Sequence, residues 1–295
     1  MKNILLLFVL VIFSCSGGDD SSDTGSDFTI SIEFVGQLEI TESSGLINIQ
    51  NQLVSHNDSG GNNKIYIIDK ENASILSQLT VLNTSNIDWE DVSIDSNYIY
   101  IGDFGNNYGS RDNLVVYKVA IPTSILLNDQ LTEVSQISFN YDNQTNLNSA
   151  QFNTNFDAEA LISYNNKLYI FTKNWANYET NIYELSKSEG LYSIEQIDNI
   201  DVGGLVTAAT YDFNNNQILL TGYNQTSSFI IRLSELNGSN FSQAKLERYV
   251  INAPSGYSVQ IEGIAVDDSD VFLTSEKFLE LPAALFKFKL SDLTN

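Results

Sequence analysis

Two acidic pairs, Asp88/Glu90 and Asp157/Glu159, carry the sharpest chemical signal in this chain. The members of each pair stand two residues apart, so on a strand they project to the same side. Glu42 and Glu262 sit in related short segments. Carboxylates gathered closely repel one another unless a positive group joins them. A hard cation bound by Asp, Glu, Asn and water oxygens supplies that group, with Ca²⁺ the first choice. The competing reading is structural: the Glu side chains latch neighbouring backbones, and water fills the space between them.

An internal repeat brings these residues together. Five short segments of one pattern run Glu42–Ile47, Asp88–Asp95, Asp157–Ile162, Leu205–Asp212 and Gln260–Asp267. Anchored on Ser44, Glu90, Glu159, Thr207 and Glu262, they are spaced by 46, 69, 48 and 55 residues. Small residues in their middles suit the crowded inner strand of a propeller blade. Second strands are predicted at 53–55, 98–102, 167–172, 217–221 and 271–274. Third strands follow at 64–69, 114–119, 181–185, 229–233 and 284–290. Fourth strands are expected near 76–82, 135–140, 193–197 and 246–251. One four-stranded blade takes about 40–50 residues. The long interval holds two stretches, 122–132 and 142–153, that read as insertions. The fifth unit lacks a fourth strand, and Ile30–Leu38 is free to supply it. The expected fold is therefore all-β: a single β-propeller of five four-stranded blades, the last closed by an N-terminal strand. Closure leaves no open sheet edge. Six blades is the alternative.

In such a disc the starts of the first strands and the ends of the second strands share one rim. The second-strand ends add His56 and Asp58, then Asp103, Asn106 and Arg111, then Lys173 and Trp175, then Tyr223, and finally Glu276 and Lys277. His56 is the sole histidine. It reads as a locally bonded turn residue, with a general-base role as the alternative. Trp175 and Tyr223 offer faces on which a sugar or another flat ligand can stack. Arg111, Lys173 and Lys277 are either ion-pair partners or an anion site beside a metal.

Composition supports strands over helices: Tyr 15 and Phe 16 stand against a single Met. The formal net charge of −23 argues against nucleic acid, which needs a basic footprint. Motifs for a nucleophile elbow, a zincin helix or a phosphate-cradling loop do not occur.

The N-terminus has the layout of an export signal. A basic start is followed by the apolar run Ile4–Phe13, then Ser14 and the sole cysteine, Cys15. Ile12-Phe13-Ser14-Cys15 resembles a lipobox. Residues 1–14 are read as a signal peptide. Residues 15–27 are read as a lipidated Cys15 with an acidic, disordered tether, and residues 28–295 as the propeller domain. Acyl chains such as palmitate on Cys15 would hold the protein to a bilayer. The acidic run after Cys15 resembles the surface-export signal of Bacteroidetes lipoproteins. That implies an outer-membrane anchor facing the cell surface, with a periplasm-facing anchor as the alternative. A monomer is expected.

The strand openings Asp88-Trp89-Glu90-Asp91-Val92 and Ile261-Glu262-Gly263-Ile264-Ala265, with Glu42-Ser43-Ser44-Gly45-Leu46, resemble the phytase-like and SdiA-regulated propellers. The resemblance implies a propeller, usually of six blades. In the phytases it implies Ca²⁺ on acidic rim residues, here Asp88, Glu90, Asp157, Glu159 and Glu262. It also implies phosphate held by basic residues, for which Arg111, Lys173 and Lys277 are the candidates. Three functions follow: a binding or interaction propeller with a cation site and a glycan or other extracellular polymer as ligand; a Ca²⁺-dependent phosphate-ester or carboxylic-ester hydrolase; and a purely structural scaffold.

Overall fold

The structure is a computed structural model that describes residues 28–127, 130–148, 150–257 and 260–294. The signal peptide, Cys15 and the acidic tether lie outside the described residues. Five sheets form a ring, with the inner strands in contact in the order 1–2–3–4–5–1. From axis to rim, blade 1 holds Ser43–Ile49, Gln52–Asn57, Lys64–Ile68 and Ile75–Val81. Blade 2 holds Trp89–Ile94, Tyr98–Asp103, Leu114–Ala120 and Val134–Tyr141. Blade 3 holds Ala158–Tyr164, Lys167–Thr172, Glu179–Ser186 and Gln196–Asp201. Blade 4 holds Leu205–Asp212, Gln217–Tyr223, Ser228–Ser234 and Lys245–Asn252. Blade 5 holds Ile261–Asp267, Asp270–Ser275 and Ala284–Lys289, and its outer strand is the N-terminal Glu33–Gln37. The protein is a five-bladed β-propeller closed by its N-terminal segment, as its repeat predicts.

Burial follows radius. Inner strands are buried on both faces, and their sequences run small and apolar without alternation. Outer strands alternate, as in Ile75–Val81, because one face is wet. The core is five apolar layers, each between two adjacent blades. Trp89 belongs to the layer between blades 1 and 2, fully buried, with its indole N–H donated to Ser85 O at 2.8 Å.

The outer rim differs from the sequence reading in three places, and one rule explains all three. The segment just before a blade's outer strand rides on the outer strand of the preceding blade. Ile30–Leu38 is thus two strands. Phe28–Ser31 pairs in parallel with Lys245–Asn252 of blade 4, and only Glu33–Gln37 completes blade 5. The expected strand at 193–197 also splits. Gly190–Ile194 pairs in parallel with Val134–Tyr141 of blade 2, and Gln196–Asp201 is blade 3's own fourth strand. The stretch 122–132 carries Gln130–Leu131, a short parallel partner of Ile75–Val81 in blade 1. The remaining two blades follow the rule with turns. Before blade 4's outer strand, the 3-10 turn Phe241–Gln243 buries Phe241 in the blade 3–4 layer, and Ser242 N donates to Asp198 at 2.7 Å. Before blade 1's outer strand, the turn around Asn72 presses on Gly36 of blade 5. A Cβ there would meet Asn72 O at 2.5 Å, so only glycine fits.

Candidate functional site: an acidic channel mouth

Each inner strand is irregular at the same place. The register against the second strand skips one residue at Glu90, Glu159, Thr207 and Glu262, and two, Gly45 and Leu46, in blade 1. A bulge leaves its extra residue out of the ladder and re-aims its side chain. Four of the five residues that anchor the repeat are therefore bulge residues, and three of them, Glu90, Glu159 and Glu262, line the mouth of the channel. The hydroxyls lock blade to blade. Ser44 Oγ donates to Glu90 O at 2.5 Å, and Thr207 Oγ1 donates to Ile261 O at 2.6 Å. The carboxylates of Glu90 and Glu159 receive no backbone donor among the described residues, so the latch role falls to other groups.

One of those groups is Asp91. Its fully buried carboxylate accepts Val92 N at 2.8 Å, Leu161 N of blade 3 at 2.8 Å and Ala209 N of blade 4 at 3.1 Å. Its side chain thus plugs into the backbones of three inner strands and ties blades 2, 3 and 4 together. Burial pushes its pKa up, against the pull of the three donors. Sequence reasoning passed over Asp91. An acid inside a strand that is otherwise wholly buried was the available signal.

Above this plug lies a cavity of about 530 Å³. Its wall includes Asp58, Glu90, Glu159, Lys173, Glu262 and Glu276, with Trp175, Tyr178, Tyr223, Phe152 and Phe278 as an aromatic rim. Phe152 comes from the 142–153 insertion and packs on Trp175 at 4.5 Å between ring centroids. Neither Phe152 nor Phe278 was visible as a site residue in the sequence.

Asp58, Asp88 and Glu90 form the tightest group, with one oxygen from each within 4.8 Å of the others. A Ca²⁺ ion binds oxygens at about 2.3–2.6 Å, so ligands on opposite sides of one ion lie about 4.6–5.2 Å apart. The spacing fits. Burial and neighbouring carboxylates push all three acids up: Asp58 to about 7, Asp88 to about 6, and Glu90 well above its ordinary value. The two nearby cations are engaged elsewhere. Lys173 pairs with Glu159 at 3.1 Å and lies over the rings of Trp175 and Tyr223. Burial opposes its charge, but Glu159, Tyr223 and Glu262 raise its pKa well above the usual lysine value. Arg111 donates to Gly105 O at 2.8 Å and pairs with Asp103 at 3.0 Å. Glu262 Oε1 is buried without a partner, and burial lifts the pKa values of Glu262 and Glu276.

Gly105 gives the trio its room. A Cβ there would lie 2.0 Å from Glu90 Oε1 and 2.5 Å from Asp88 Oδ2. Both are ends of flexible side chains, so the fold should absorb a methyl while the carboxylates scatter. Gly105→Ala is expected to fold but to lose any Ca²⁺-induced rise in melting temperature, read by differential scanning fluorimetry. An unaltered Ca²⁺ response would show that the trio is not the site.

The other sequence candidates divide clearly. Asp157 faces the rim but is used as a latch: it accepts Asn106 N at 2.5 Å and Trp175 Nε1 at 2.7 Å. Asp103 caps Asp88 N at 3.1 Å and holds Arg111. Asn106 ties the same loop, through Arg111 N at 2.8 Å and Phe156 O at 3.1 Å. Glu42 and Lys277 are exposed and stand outside the cavity wall. Of the three basic candidates, Arg111 and Lys173 are each held in an ion pair, while Lys277 is exposed and stands outside the cavity wall. His56 is fully buried behind the trio. Its Nδ1 bonds Asn57 O at 3.1 Å and its ring meets Trp89 edge-on at 5.5 Å. Burial lowers its pKa to about 4, so it is neutral.

No known family profile matches the chain, and no curated protein matches it. Solved structures do. A protein provisionally assigned as a glucose dehydrogenase from Thermus thermophilus is 9% identical, with a TM-score of 0.48 over 87% of this chain and 98% of that one. Hydrazine synthase of Kuenenia stuttgartiensis is 9% identical, with a TM-score of 0.42 over 81% and 78%. A quinoprotein alcohol dehydrogenase-like protein from Bacteroides thetaiotaomicron is 12% identical, with a TM-score of 0.37 over 88% and 55%. At these identities the likeness concerns the fold alone, and none of their chemistry is carried over. The chain is a β-propeller with an acidic, aromatic-rimmed mouth.

Proposed function

We propose that the protein is an exported, lipid-anchored binding propeller whose acidic mouth holds a divalent cation, Ca²⁺ first, between Asp58, Asp88 and Glu90. The observation that carries this reading is three carboxylates spaced for one ion, with both nearby cations already paired. The bound ion, ringed by Trp175, Tyr178, Tyr223 and Phe278, then engages an oxygen-rich extracellular ligand such as a glycan. Export and anchoring at Cys15 rest on the N-terminal sequence. No helix among the described residues is long and apolar enough to cross a membrane.

The test is thermal. Free ligand at about 100 times its Kd stabilises by about 2.7 kcal/mol. For a domain of this size that is a shift of at least about 5 °C. Millimolar Ca²⁺ should produce such a shift, and Asp58→Asn or Glu90→Gln should abolish it. A wild type indifferent to Ca²⁺ removes the metal from the reading. Metal-dependent turnover in a phosphatase and esterase screen, lost in Glu90→Gln, would replace the binding role with a hydrolytic one.

A further inference from the structure

The channel has a second mouth, on the face where the inner strands end. It opens as a cavity of about 620 Å³, inside the range of about 300–1,000 Å³ usual for small-molecule sites. It shares no lining residue with the acidic mouth, and the Asp91 tie joins the inner strands of blades 2, 3 and 4. Their chemistry is opposite. Asp95, the carboxylate in its wall, accepts Lys187 Nζ at 2.7 Å, Tyr100 O–H at 2.8 Å, Asn97 N at 2.9 Å and Tyr98 N at 3.0 Å. Asp95 has little left for a cation. Lys187 is spent on Asp95 and on Ser163 Oγ at 2.7 Å, so it has little left for an anion. The cavity is electrically neutral.

It is also amphipathic in a specific way. Tyr164 and Tyr211 meet edge-to-face at 4.8 Å, and Tyr211 and Phe213 at 6.4 Å, which makes a continuous aromatic wall. Phe213 is 82% exposed at its lip, which leaves its ring face open to a ligand. Tyr211 is pinned by its O–H to Asn216 Oδ1 at 3.0 Å. Hydroxyls line the same cavity. Ser163 keeps its own O–H to donate after accepting from Lys187. Ser93 and Thr210 make no side-chain hydrogen bond among the described residues.

We propose that this far mouth is a binding site for a neutral saccharide. A sugar ring has an apolar C–H face and a hydroxyl edge. The aromatic wall fits the first, and the unspent hydroxyls fit the second. An acyl chain would leave those hydroxyls unused, and a charged ligand would find no counter-charge. The site is independent of the cation reading at the acidic mouth.

Affinity gel electrophoresis of the intact protein tests it, with laminarin, xyloglucan, galactomannan, mannan and soluble starch cast separately in the gel. At least one polysaccharide should retard the wild type. Phe213→Ala, which removes an exposed ring, and Thr210→Val, which removes a hydroxyl at equal volume, should each weaken that retardation at least fivefold. Chelation of metal and Glu90→Gln should leave it unchanged. The proposal is overturned if none of the five retards the protein, or if both far-mouth variants bind as the wild type does. It is equally overturned if chelator or Glu90→Gln abolishes binding, which would place the ligand at the acidic mouth instead.

Discussion

Replacing Asp91 by alanine should destabilise the propeller by about 3–5 kcal/mol. The reason is arithmetic on donors. Three backbone N–H groups from blades 2, 3 and 4 end on this one carboxylate. A buried donor left without a partner costs about 1–3 kcal/mol. Losing the carboxylate's own desolvation penalty offsets part of the sum. Asp91→Asn should fall between alanine and wild type, because its amide oxygen can keep the two donors that share one carboxylate oxygen while its nitrogen faces the third N–H. Urea unfolding read by tryptophan fluorescence gives the difference. A loss under about 1 kcal/mol for Asp91→Ala would mean that water or a shifted backbone replaces the carboxylate, and that the plug is not a structural tie.

The second large effect is on the pH dependence of stability. Asp58 and Asp88 titrate near 7 and 6 in the folded protein, against 3.8 for a free aspartate. Their folded-state values are raised, so between about pH 4 and pH 7 the folded protein holds protons that the unfolded chain has released. Stability from these groups is therefore greatest at the acid end of that window and falls as pH rises through it. One pKa unit corresponds to about 1.4 kcal/mol. Because the two groups interact, their joint effect is not the simple sum of the two shifts. A bound Ca²⁺ favours the ionised carboxylates and reverses the trend, so stabilisation by Ca²⁺ should grow steadily toward neutral pH. Melting temperatures in chelator and in Ca²⁺, taken across the window, make the comparison. A chelated protein that becomes more stable from about pH 5 to pH 7 would contradict the raised pKa values. Equal Ca²⁺ effects at both ends would contradict the trio as the ligand set.

Sequence alone carried the fold a long way because the repeat places one bulge residue in each of blades 2 to 5. Glu90, Glu159, Thr207 and Glu262 share a register precedent to any knowledge of pairing, and all four sit at the skipped position. The rim was less legible. Gly190–Ile194 and Gln196–Asp201 are adjacent strands of similar composition, yet they belong to different blades. Alternation reports that a segment is a strand, not which neighbour it pairs with. The acidic mouth was recognised as a collection of residues but not as a geometry. The sequence groups Asp58 with the rim and Asp157 with the acidic pairs. In the structure Trp175 Nε1 and Asn106 N reach Asp157 from two other loops, whereas Asp58 stands against Asp88 and Glu90. Such contacts arise between loops far apart in the chain and leave no local trace.

The laced outer rim has a mechanical consequence. Phe28–Ser31 lies parallel to Lys245–Asn252, and the chain then turns at Ile32 into the antiparallel ladder with Ala284–Lys289. A pull on the N-terminus along the first strand loads its ladder in shear, with the hydrogen bonds sharing the tension rather than opening one after another. Near the C-terminus, Leu293 O accepts from Arg232 and Tyr249, both on blade 4. The blade that takes the first load from the N-terminus is thus the one that also grips the far end of the chain. Tension on the N-terminus would therefore reach the strand that closes blade 5 only after the blade 4 ladder has yielded.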